Sequence, residues 1–261
     1  QKESDRLWGQ VEPLYKELQC YTKNKLVTKY GDKGQINGMI PAHLTGNLWQ
    51  QDWGSLWPIL EPYKGAGSLD INSVLQKQHD KVLNDKLAAA GGAGSLSPLK
   101  FADISHEADL QHSKDMARLS ESFYTGLGMP KLPESHWSNA QFIKPRDRDV
   151  VCHASAWDMN LKGDVRIKMC ITPTEEDLTT LYHEYGHVYY YLAYNKLPIL
   201  FQGGAHDGFH EAIGDTIVLS MTPEYMSSIG LIDKPAVSQE AVINGQMRMA
   251  LAKVAFMPFG L

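Results

Sequence analysis

At 261 residues, 43% of them apolar, the chain is long enough to bury a substantial core as one large domain or two small ones. Its formal net charge of -5 is mixed in sign along the sequence with no Lys/Arg block, which argues against nucleic acid or an anionic membrane as the main partner. No apolar run approaches the roughly 20 residues of a membrane span, the longest being Leu197 to Phe201.

Residues 1–10 are polar and already read as helix, so any targeting peptide has been removed or lies upstream. Apolar Leu7, Val11, Leu14, Tyr15, Leu18 and Leu26 follow the spacing of a long amphipathic helix interrupted at Pro13. A Gly-rich turn over 31–38 leads to Trp49, Trp53 and Trp57, whose spacing of four reads as core, with Gln51 among them. Asp70 is placed to N-cap a second helix carrying Ile71, Val74, Leu75, Val82 and Leu87. A small-residue loop follows, then a third helix from about Ile104 to Thr125, stopped by Gly126, Gly128 and Pro130.

The period changes near Asp149. Val150–Ala154 and Val165–Met169 read as two short strands of a hairpin, joined by a polar turn with Lys162, Gly163 and Asp164. Centring that hairpin near Leu161 sets Cys152 opposite Cys170, at a separation compatible with a disulfide as well as with two reduced thiols, and leaves Cys20 unassigned. Thr172, Pro173 and Glu175 then form a capping box that starts a helix running past Tyr194. A further helix begins near Phe209, and a last one spans about Ser238 to Phe256.

The helix from Thr172 carries His183, Glu184 and His187. Histidines four apart share one helix face and can bind one zinc ion, with the intervening glutamate turned toward an attacking water. A core helix with two incidental histidines is the alternative for so short a pattern. A catalytic zinc takes three protein ligands. The position six beyond His187, where one peptidase class has a third histidine, is Ala193; Glu211, 24 residues beyond His187 on the following helix, is the carboxylate alternative. Asp215, one turn further, is placed to accept the remaining ring N–H of a ligand histidine.

The strings VVCHASAWD from Val150, LYHEYGHVYYYLAY from Leu181 and GFHEAIGDTIVLS from Gly208 resemble the angiotensin-converting-enzyme family of zinc peptidyl dipeptidases. So do IPAHLTGNLWQQDW from Ile40 and KVAFMPFGL from Lys253, in the same order. The resemblance implies a mainly α fold of the gluzincin type: two helical subdomains around a deep channel, with a small antiparallel sheet beside the metal. It implies that His183, His187 and Glu211 bind Zn2+, that Glu184 is the general base, and that Cys152 and Cys170 form a disulfide. It further implies that His153 hydrogen-bonds a substrate carbonyl and that the backbones of Ala154 and Ala156 pair with the substrate. Gln51 falls on the glutamine that holds the substrate's terminal carboxylate, and Phe256 and Phe259 fall on aromatics lining the last side-chain pocket. The expected substrates are peptides with a free C-terminus, cleaved two residues from that end. An oxidised Cys152–Cys170 pair implies a secreted or periplasmic location, and the absence of any Asn-x-Ser/Thr acceptor fits a bacterial envelope protein better than a secreted glycoprotein.

The chain also departs from the family. It matches the middle of a longer catalytic domain, without the downstream lysine, tyrosines and histidine that bind the carboxylate and stabilise the transition state. The arginine of the activating chloride is likewise outside it. The expectation for residues 1–261 by themselves is therefore a partial catalytic domain that binds zinc with little turnover. Asp52 and Thr180 depart from relatives near the subsites. Two other readings are a non-catalytic zinc-binding or structural relative, and a carboxypeptidase releasing single residues, although that branch carries arginine where Gln51 stands. Nothing in the sequence indicates an oligomeric state.

Overall fold

A computed structural model describes residues 1–67, 70–206, 208–233 and 238–260. The chain is mainly helical with one small antiparallel sheet. In order it runs α1 (Lys2–Tyr30), α2 (Trp57–Leu60), α3 (Ile71–Ala89), α4 (Pro98–Gly126) and α5 (Glu134–Asn139). Strands β1 (Ser155–Asp158) and β2 (Val165–Lys168) follow, then α6 (Glu175–Tyr194), α7 (Phe209–Val218), α8 (Pro223–Ser228), α9 (Gln239–Met249) and α10 (Met257–Gly260).

These elements fall into two compact units, residues 1–68 with 235–261, and residues 69–234. In the first unit, α1 continues unbroken through Pro13 and buries Leu18, Thr22 and Leu26, while Leu7 and Leu14 stay exposed. Its core adds Trp53, Leu56, Leu60, Leu251 and Ala255. Of the three tryptophans only Trp53 is buried; Trp57 is half-buried, and Trp49 is exposed. Asn244 of α9 clasps the loop after α2: its Nδ2 donates to the carbonyls of Tyr63 and Ala66, and its Oδ1 accepts from the Tyr63 N–H. The end of the chain's last long helix is also revised, because α9 closes at Met249 and a π-helical turn, Ala250–Val254, follows.

The second unit is built around α6. Its buried face of Leu178, Leu181, Tyr182, Tyr185, Val188 and Tyr189 packs with Ile71 and Leu75 of α3, Met116 and Tyr124 of α4, and Val165 and Ile167 of β2. At about 25 cal/mol per Å2 of apolar surface, each such side chain contributes roughly 2 kcal/mol. The Tyr124 hydroxyl donates to the Tyr182 carbonyl at 2.8 Å, and the Tyr124 ring stacks on Tyr189 at 4.4 Å.

Three local readings need correction. Helix α4 starts at Pro98, well before Ile104, because the Ser97 side chain caps it by accepting from the Lys100 N–H. Helix α6 is capped by Thr174, which accepts from the Asp177 N–H; Thr172 is tied instead to the Asp177 carboxylate through its N–H and hydroxyl. The hairpin is shifted as well. Residues 150–154 are irregular, and the first strand begins at Ser155. The register pairs Ser155 with Lys168 and Asp158 with Val165, so its centre lies between Leu161 and Lys162. The turn is set by side chains: Asp158 accepts from the N–H groups of Asn160 and Leu161, and Asn160 from those of Lys162 and Asp164. Cys152 and Cys170 nevertheless form a disulfide, with alpha carbons 5.2 Å apart, both lying just beyond the regular strand pairing.

Candidate metal centre

His183 and His187 lie one turn apart on the face of α6 that meets α7, as their i,i+4 spacing requires. Helix α7 places Glu211 against them. One ligand atom each from His183, His187 and Glu211 lies within 4.8 Å of the other two. The two Nε2 atoms are 3.1 Å apart, and the Glu211 carboxylate is 3.1 Å from His183 Nε2 and 3.6 Å from His187 Nε2. Two imidazole nitrogens and one carboxylate oxygen converging on one point suit a zinc ion in number, chemistry and spacing. The histidines are mostly covered, at 20% and 12% exposure, whereas Glu211 is 71% exposed. The metal face is thus closed on the α6 side and open toward solvent.

The close approach of α6 and α7 depends on two glycines. A Cβ on Gly186 would sit 2.7 Å from the Gly214 alpha carbon, and one on Gly214 would sit 2.7 Å from His183 Nδ1. Only hydrogens fit at that crossing. Asp215, the next residue, places Oδ1 3.3 Å from His183 Nδ1, where it accepts the ring N–H and leaves Nε2 free to ligate. That hydrogen bond is the main cause of the raised His183 pKa, ahead of the opposing effect of burial.

Glu184 is 7% exposed and its Oε2 has no hydrogen-bond partner among the described residues, an unusual state for a buried carboxylate. Burial raises its pKa; His183 and His153 oppose that shift and Glu211 adds to it. A carboxylate with a vacant lone pair and heightened basicity is suited to take a proton.

The sheet supplies an edge. The Met159 N–H donates to Asp164 C=O in register with the pairs of β1 and β2, so Ser155 and Trp157 also exchange their hydrogen bonds with β2. Ala156 and Asp158 therefore point their backbone groups away from β2. The far side of β2 is taken by Gln141, whose N–H donates to Ile167 C=O and whose C=O accepts from the Met169 N–H. The outer edge of β1 is the open one, and there the Tyr191 hydroxyl of α6 donates to Ala156 C=O at 3.4 Å. His153, just before β1, is exposed; Ala154 and Ala156 are half-buried.

The structure thus brings His183, Glu184, His187, Glu211 and Asp215 together, with the β1 edge packed against the same helix. Gln51 and Phe256 belong to the first unit. The Gln51 Oε1 is buried without a partner among the described residues and Phe256 is exposed; the Phe259 side chain lies outside the described residues. One participant escaped the sequence reading. His210 contacts His187 directly, at Nδ1 to Nδ1 3.2 Å, and no spacing rule joins residues 23 apart across a glycine-rich loop.

The full chain, residues 1–261, matches the peptidase M2 family described as angiotensin-converting enzyme. It is 39% identical over 259 residues to the angiotensin-converting enzyme of Sus scrofa, 38% over 261 residues to that of Theromyzon tessulatum, and 34% over 258 residues to that of Haematobia irritans exigua. These matches cover 98%, 99% and 98% of the chain, but 17%, 37% and 37% of the respective relatives, so the chain spans well under half of each. The matched stretch includes both helices of the metal centre and the strand edge beside them: the chain belongs to the angiotensin-converting enzyme family of M2 peptidases.

Proposed function

We propose that the protein is a zinc peptidase that releases dipeptides from the free C-terminus of oligopeptides, and that residues 1–261 form part of its catalytic domain. The observation that carries the reading is the buried Glu184 carboxylate, whose Oε2 has no hydrogen-bond partner among the described residues, on the helix turn of two histidines that converge with Glu211. His183, His187 and Glu211 would hold the ion. Zinc bound there lowers the pKa of water toward neutrality and polarises a carbonyl oxygen.

Glu184 accepts the proton of the attacking water on Oε2 and then delivers it to the nitrogen of the departing amine. His183 keeps its ring proton on Nδ1, donated to Asp215, through the cycle. The open edge of β1 receives the peptide as an added strand, with the backbones of Ala154 and Ala156 as its partners and the small side chains permitting close approach. His153 donates to a substrate carbonyl, the Gln51 amide N–H to the terminal carboxylate, and Phe256 lines the pocket of the last residue. The Cys152–Cys170 disulfide supports an oxidising, extracytoplasmic location. Substrates are peptides.

Glu184→Gln tests the reading. The full-length protein should release a dipeptide from an N-blocked tripeptide, and the variant should lose about 1,000-fold or more in rate, since it loses both proton transfers, each typically contributing ~100-fold or more. Its zinc content should be unchanged. Mass analysis of the products separates dipeptide release from loss of single residues, and a variant as fast as the parent would sink the assignment of Glu184.

A further inference from the structure

Each candidate ligand histidine makes a contact through the ring nitrogen that faces away from the cluster, and the two contacts differ in kind. His183 Nδ1 faces the Asp215 carboxylate. His187 Nδ1 faces His210 Nδ1 at 3.2 Å, and His210 Nε2 in turn faces the Tyr194 hydroxyl at 3.0 Å. We propose that His210 is the positioning residue of His187: its Nδ1 lone pair accepts the His187 Nδ1–H and so presents the His187 Nε2 lone pair to the metal, with Tyr194 fixing the His210 tautomer.

The proposal rests on the metal reading above. The direction of the chain follows from proton counting. His187 Nε2 points at His183 Nε2 and Glu211, so as a ligand it carries no proton and Nδ1 must carry one. His210 Nδ1 must then be the acceptor, which leaves its proton on Nε2 for donation to the Tyr194 oxygen. Both nitrogens of each ring are thereby committed. The His210 ring is held in place by Tyr190 and Tyr191, at 4.6 and 5.0 Å between ring centroids, with Tyr194 edge-on at 5.8 Å. Gly204 closes over it, since a Cβ there would be 3.3 Å from His210 Cδ2. Helix α7 therefore supplies one metal ligand flanked by two orienting residues, His210 for the histidine of one turn and Asp215 for that of the other.

The test is zinc affinity of the full-length protein, measured by competition with a chromophoric chelator, for the parent, His210→Leu, His210→Asn and Tyr194→Phe. Loss of an orienting partner typically weakens a metal site ~10–100-fold, which is the expected effect of His210→Leu. His210→Asn returns an acceptor oxygen near the Nδ1 position and should recover most of the affinity. Tyr194→Phe should weaken binding less than His210→Leu and keeps the test open if the leucine variant fails to fold. In zinc-loaded parent protein the His187 Nδ1–H should give a protected imidazole resonance that His210→Leu abolishes and His210→Asn retains. Unchanged affinity in His210→Leu, or an asparagine variant as weak as the leucine one, would overturn the proposal while leaving the metal reading intact. A parent protein that binds no zinc would overturn that reading and the proposal with it.

Discussion

At the scale of single residues, the proposed chemistry is concentrated in side chains whose spacing is readable: His183, Glu184 and His187 from the helical repeat, Glu211 and Asp215 from the next helix. His210 was not readable. Its partner relation crosses a loop, and a histidine beside a glutamate carries no periodic signal. His136 is a second such case. It is fully buried, its Nδ1–H donates to the Val165 carbonyl at 3.1 Å, and its Nε2 accepts from the Tyr185 hydroxyl at 3.0 Å, tying β2 to the turn of α6 that carries Glu184. Burial lowers its pKa from 6.5 to about 4, with Lys114 adding to the shift and the Val165 bond opposing it. A depressed folded-state pKa means the unfolded chain takes the proton first, so the stability it confers is complete above pH 6.5 and declines as pH falls toward 4. Urea unfolding should show about 2 kcal/mol less stability at pH 5 than at pH 7 from this group alone. Buried His112 shifts in the same direction and adds to the loss. A His136→Gln variant should be less stable at pH 7 but flatter with pH; an equally steep profile would remove His136 as the cause.

At the scale of elements, helices were legible where capping chemistry is local and misplaced where two candidate caps lie close together. Asp70 caps α3 through the Ser73 N–H as its position suggests. At α6, Thr172 and Thr174 compete; Thr174 wins because Asp177 can then bind Thr172 while its own N–H caps on Thr174. The strand beginning at Ser155 was misjudged because the apolar run Val150–Val151 carries β propensity but leads into a disulfide, not a ladder. The element the metal centre depends on most is the α6–α7 crossing. Gly214→Ala should push His183 off its position, weakening zinc binding and lowering stability by about 1–3 kcal/mol through overpacking. Gly245, where an added Cβ would meet nothing within 4 Å among the described residues, serves as a control, and Gly245→Ala should leave zinc affinity unchanged. The disulfide closes a short loop of sequence separation 18, and replacing Cys152 and Cys170 with serine should cost about 3 kcal/mol by loop-closure entropy. A denaturation midpoint unmoved by the double replacement would show that the hairpin holds its ends without the bridge.

At the scale of the whole chain, the mainly helical class agrees with the sequence, and the family match extends over every residue. What the sequence could not show is how much of the ligand geometry already exists in the chain itself. The Nε2 atoms of His183 and His187 and the Glu211 carboxylate converge on one point, with Glu184 buried beside them. The direct measurement of the central claim is metal analysis of the full-length protein and its Glu211→Ala variant after exhaustive dialysis against metal-free buffer. One zinc per chain in the parent, lost from the variant while its helicity is kept, is the result this account predicts; a parent without zinc, or a variant that holds zinc as tightly as the parent, would contradict it.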